Sequence, residues 1–164
     1  MPDSPGFHLQ RPAAPLPAAE DFDPWGGDLD ALHAWKSFGG LSLDRAHGLF
    51  LENPLHYQED FMFMGPVAFD HYFPVIDRYL REFRTGDGDD DDGCAWILGD
   101  ALVSQLETIA PRPLAPGTVM EIAGLAAFVI REIDRYAGEP DAQQRILAKW
   151  REASRLAEAR HPGA

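Results

Sequence analysis

TVMEIAGLAAFVIREIDRYA, residues Thr118 to Ala137, is the stretch whose reading decides the fold class. Ile122, Leu125, Ala126, Val129, Ile133 and Tyr136 recur at intervals of three and four, the period of an α-helix. Met120, Ala123, Ala127, Phe128 and Ile130 make the first half apolar on nearly every side, a pattern expected of a helix buried in the middle of a protein. Thr118 and Glu121 have the spacing of a capping box, which marks the start of the helix at Thr118. Gly138 suits its end, and Pro140 opens another helix whose Ile146, Leu147, Trp150 and Leu156 share one apolar side.

Working back from this segment, the same period returns. Leu98, Leu102, Leu106 and Ile109 predict a helical face that stops before Pro111. Phe69, Tyr72, Phe73, Ile76, Leu80 and Phe83 predict a long amphipathic helix starting after Gly65-Pro66. Pro74 inside it removes a backbone hydrogen bond and predicts a kink or break near residues 70–73. Asp28 and Ser42 are suitable N-caps for two shorter helices, one carrying Leu29, Leu32 and Trp35, the other Leu43, Ala46, Leu49 and Phe50. Residues 54–65 break the period and read as a loop. The expected fold is therefore all-α, an irregular bundle of five to seven helices around 118–137.

The domain plan follows from composition. Six prolines precede Trp25 among few large apolar residues, so 1–24 is expected to be an extended Pro/Ala-rich arm, and 25–160 a single helical domain. Between Thr85 and Gly93 the run of Gly and Asp residues predicts an acidic surface linker, 85–93. Asp87 and the aspartates after it suggest calcium, but taking Asp87 as the first loop position places Asp92 where the turn glycine belongs and Leu98 where the closing glutamate belongs. No segment has the length or apolarity of a membrane span and the start lacks a signal-peptide layout, so a cytoplasmic location is expected. Cys94 is the only cysteine and lies among apolar residues, which suits a buried, inert thiol.

Charge narrows the function. With 27 acidic and 14 basic side chains the chain carries −13, and residues 25–93 alone hold 14 of the acids against 5 bases. Such a field disfavours nucleic acid and anionic membranes and attracts a protein with a basic surface. The sequence contains no phosphate-binding loop, no nucleophile elbow and no His-Glu-x-x-His, so no named reaction class is indicated and no cofactor is expected. Nine of the eighteen aromatic residues fall between Phe50 and Phe83. Within that stretch the irregular, Met- and Phe-rich segment around Tyr57, Glu59, Asp60, Phe61 and Phe63 reads as the candidate partner-binding surface.

FMFMGPVAFDHYFPVIDRYL, Phe61 to Leu80, resembles a stretch found in small uncharacterised bacterial helical proteins, in which an Ala-Phe pair precedes aromatic residues and a proline. In general character, small, acidic and without catalytic motifs, the chain resembles bacterial immunity proteins that block toxin enzymes. The resemblance implies a non-catalytic inhibitor or immunity protein and carries no contact residue with it. Two alternatives come from the residues themselves. One is a small metal-dependent enzyme using His56, Glu59, Asp60 and His71, which mix imidazole and carboxylate groups; the other is a structural subunit of a self-assembly.

Overall fold

The computed structural model describes residues 15–84 and 92–160; the expected linker 85–93 and the first part of the expected arm lie largely outside them. Among the described residues all the regular structure is helical and there is no strand. The nine α-helices of the described residues are α1 (Ala19–Phe22), α2 (Leu29–Phe38), α3 (Leu43–Glu52), α4 (Pro54–Tyr57), α5 (Asp60–Phe63), α6 (Pro66–Glu82), α7 (Ala95–Glu107), α8 (Pro116–Arg131) and α9 (Pro140–Arg160). A short 3-10 turn, Ile133–Arg135, follows α8. Six of them have ten residues or more and α1, α4 and α5 are single turns, so the all-α bundle expected from periodicity is the fold observed. None is long and apolar enough to cross a membrane.

The N-caps at Asp28 and Ser42 form as their chemistry requires. Asp28 accepts from the amides of Asp30 and Ala31, and Ser42 from that of Arg45. The capping box at Thr118 does not form. Helix α8 starts two residues earlier with Pro116 in its first turn, and Thr118 is buried inside it. The cap is supplied from a distance, since the Asp70 carboxylate accepts from the Ala115 amide at 3.1 Å and pairs with Arg112 at 2.7 Å.

The middle of the bundle belongs to α6 rather than to α8. Helix α6 packs against α1, α3, α7 and α8 and buries nine residues, among them Phe69, Tyr72, Phe73, Ile76 and Leu80. Helix α8 packs on α9 and α6 through one face, Val119, Ile122, Leu125, Ala126 and Val129, while Met120 is 56 % exposed. The apolar first half of 118–137 is rich in small alanines, which a helix can leave at the surface at little cost. Helix α6 also runs through Pro74 without a break. The lost backbone bond is tolerated where Phe73, Val75 and Ile76 are all sealed from solvent.

Residues 15–24, expected to be extended, instead carry α1 and bury Phe22 completely, with its ring against Trp35 and Tyr72. The Gly65 amide donates to the Phe22 carbonyl at 2.8 Å, and a Cβ at Gly65 would clash with the Asp21 carbonyl oxygen, so this close approach requires glycine. After α1, the Asp23 carboxylate accepts from the amides of Gly26, Gly27 and Asp28, closing a turn in which both glycines have positive φ. Phe22 at one end and Ala157 at the other belong to one continuous buried cluster.

On the far side, α9 lies against α7 and α8. Trp150 is fully buried and its indole N–H donates to the Ala95 carbonyl at 2.8 Å. Gly99 makes room for it, since a Cβ there would stand 2.8 Å from the indole nitrogen. The basic face of α9 is partly engaged: Lys149 pairs with Asp100 at 2.7 Å and lies over the Trp96 ring. Cys94 is buried, as its apolar neighbours suggest. Ile109 falls beyond the end of α7 and is exposed.

Candidate functional site

Residues 54–65 fold as two single helical turns instead of a loop. Asn53 caps α4, whose first residue is Pro54, and α5 follows after Gln58 and Glu59. One turn of helix leaves most of its carbonyls without a partner. Gln105, buried on α7, supplies them: its side-chain amide donates to Phe61 O at 2.9 Å and Met64 O at 2.8 Å. This long-range contact explains why periodicity alone misses α5.

The five residues expected to form a partner surface divide into two groups. Phe61 is fully buried, with its ring against Phe38 and Phe50, and Asp60 is also buried, so neither is open to a partner. Tyr57 and Phe63 are half-buried, and the Tyr57 ring meets Phe38. Glu59 is exposed. The Met- and Phe-rich composition is thus largely core, facing inward because α5 packs on α2 and α7.

What the packing does present is a pair of histidines. The Nδ1 of His33, on α2, lies 2.8 Å from Oδ1 of Asp60, and the His33 side chain is 54 % exposed. An ionised carboxylate only accepts, so Nδ1 then carries the proton and Nε2 is left for the surface. The second oxygen of Asp60 is buried with no hydrogen-bond partner among the described residues. The ring of His56 stands edge-on to that of His33 at 6.1 Å and to that of Tyr57 at 4.7 Å.

The helices that carry the pair, and the end of α3, also expose large apolar side chains. Leu29 precedes His33 by one helical turn and is 80 % exposed, and Leu55, next to His56, is 69 % exposed; Leu51, near the end of α3, is also exposed. Asp28, Asp30, Glu52 and Glu59, on or next to α2, α3 and α4, are exposed as well. Sequence reasoning missed His33 and Leu29, whose only signal was an isolated i, i+4 pair on α2.

The four residues of the metal alternative do not converge. Asp60 is engaged by His33, whereas His71 lies with Asp70, Arg112 and Thr118 in a separate cleft of about 260 Å³. Among the described residues no group of three or more His, Cys, Asp or Glu side chains is arranged to hold a metal ion. No known protein family, curated protein or solved structure matches the chain.

Proposed function

We propose that this protein is a non-catalytic binding domain that docks a basic protein partner on the surface formed by α2, α4 and the end of α3. The supporting observation is that α2, α4 and the end of α3 expose Leu29, Leu51 and Leu55 together with the His33–His56 pair, and that Asp28, Asp30, Glu52 and Glu59 beside them in the sequence are exposed too. Large apolar side chains at the centre of a patch supply affinity once water is excluded, and a charged rim supplies speed and selectivity of encounter. A net charge of −13 strengthens that steering toward a cationic surface. Inhibition of a basic enzyme, in the manner of an immunity protein, is the form of the activity this reading favours. The test is co-purification from the native host with the wild-type chain and with Leu29→Ser/Leu55→Ser. A basic protein held at low salt by the first and released by the second supports the reading, and equal retention by both refutes it.

A second reading is favoured by the His33–Asp60 hydrogen bond, since an imidazole oriented by a buried carboxylate is also suited to move protons. Turnover of any ester or phosphoester in a broad substrate panel that disappears in His33→Ala would support it. If the surface instead receives a second copy of the chain, the solution mass of the wild type will be a multiple of that of Leu29→Ser/Leu55→Ser.

A further inference from the structure

The cleft of about 260 Å³ at the start of α8 is separate from the proposed docking surface and shares no lining residue with it. Asp70 and His71 of α6, Arg112 of the preceding loop, and Gly117 and Thr118 of the first turn of α8 line one cavity, so their polar groups face a common space. Asp70 is the single carboxylate among them.

Donors and acceptors do not balance in this cavity. Both oxygens of Asp70 are taken, one by the Ala115 amide at 3.1 Å and the other by Arg112 at 2.7 Å. Helix α8 has no side-chain cap at Ala115, and its first amide with a backbone acceptor is that of Val119, which donates to the Ala115 carbonyl. The amides of Gly117 and Thr118, one turn earlier, have no acceptor among the described residues. The Thr118 hydroxyl has no partner there either, although the residue is only 2 % exposed and lines the cavity. A polar group buried without a partner costs free energy, and a helix that needed only a cap would use Asp70 alone. Arg112 spends two bonds, on Asp70 and on the Pro113 carbonyl, and its guanidinium has further N–H groups to give.

We propose that this cleft binds a small aliphatic monocarboxylate. A carboxylate brings acceptors only, which is what the unmet amides and hydroxyl of the first turn of α8 require, and the N-terminal end of a helix favours negative charge. One negative charge is the match, because Asp70 already balances Arg112 and its own charge repels a dianion. Val67, which is 37 % exposed, forms an apolar wall with Pro15 and Pro17, where a hydrocarbon chain is shielded from water. The volume admits a chain of a few carbons and excludes a ligand of cofactor size.

The test follows the backbone amide signals of the full chain by NMR during titration with sodium butyrate at constant ionic strength. The expected result is a saturable shift at Gly117 and Thr118, with acetate about tenfold weaker than butyrate for want of two methylene groups. Thr118→Val, which keeps the shape of the side chain and removes its hydroxyl, is expected to bind butyrate about tenfold more weakly. Val67→Asp, at an exposed position, sets a carboxylate in the apolar wall and is expected to abolish saturation, which keeps the test decisive if Thr118→Val folds poorly. No shift at the two amides, shifts that do not saturate, or shifts that sodium chloride reproduces would overturn the assignment. Equal butyrate affinity in the wild type and Val67→Asp would overturn it too, as would tighter binding of inorganic phosphate than of butyrate.

Discussion

His33 on α2 and Asp60 on α5 meet at 2.8 Å, joining an exposed imidazole to a carboxylate buried to 4 % exposure. The other oxygen of that carboxylate has no hydrogen-bond partner among the described residues. A buried carboxylate with an unmet oxygen costs free energy, so its presence is better explained by what it does to His33 than by any gain for the fold. Asp60→Asn is expected to leave stability within about 1 kcal/mol of the wild type while weakening the docked partner. Urea denaturation together with a binding assay checks this; a loss of stability with unchanged binding would make Asp60 a structural staple.

Gln105 bridges α7 to the carbonyls of Phe61 and Met64. Replacing it with leucine leaves both carbonyls buried without that donor, at a cost of about 2 kcal/mol. Urea midpoints measure the loss, and amide exchange is expected to accelerate first in α4 and α5, because those single turns have little else to hold them.

Gly99 sets the separation of α7 and α9. A methyl group there would meet the Trp150 indole nitrogen and the Lys149 Cβ, at 2.8 and 3.1 Å, so Gly99→Ala forces the indole away from the Ala95 carbonyl. The expected cost is about 1–3 kcal/mol, with a displaced Trp150 indole N–H resonance. An unchanged resonance and an unchanged melting temperature would show that the two helices have slack.

His47 is a buried histidine on α3 whose Nε2 has no hydrogen-bond partner among the described residues and stands 3.9 Å from a Glu82 carboxylate oxygen. Its pKa is lowered by burial first and then by the Arg78 charge, with Glu82 and Asp44 opposing. The folded state therefore takes up this proton less readily than the unfolded chain. The stability this group contributes is complete above the unfolded value of about 6.5 and is lost as pH falls below it toward the lowered folded value. Urea midpoints at pH 7.5 and 5.5 are expected to differ less in His47→Gln than in the wild type; an equal or larger difference would contradict the assignment.

The long helices were legible because each has a stripe at helical spacing, and Asp28 and Ser42 marked two starts by local chemistry alone. The single turns were not, because α5 depends on a glutamine more than forty residues away and α1 on the burial of one phenylalanine. The same limit explains the site. Phe61 reads as a candidate contact until α5 turns it into the core, and His33 has no local signal until Asp60 is beside it. Burial also reassigns the middle of the bundle: small residues make 118–137 look enclosed, whereas the aromatic residues of α6 fill the space between its neighbours.

The most direct measurement of the docking claim compares partner retention by three forms of the full chain at low salt: wild type, Leu29→Ser/Leu55→Ser, and Ile109→Ser/Met120→Ser as a control at exposed apolar positions outside the proposed surface. The account predicts that a basic protein stays with the wild type and the control, leaves the first variant, and elutes from all forms as salt is raised. Retention by Leu29→Ser/Leu55→Ser equal to the wild type would contradict it.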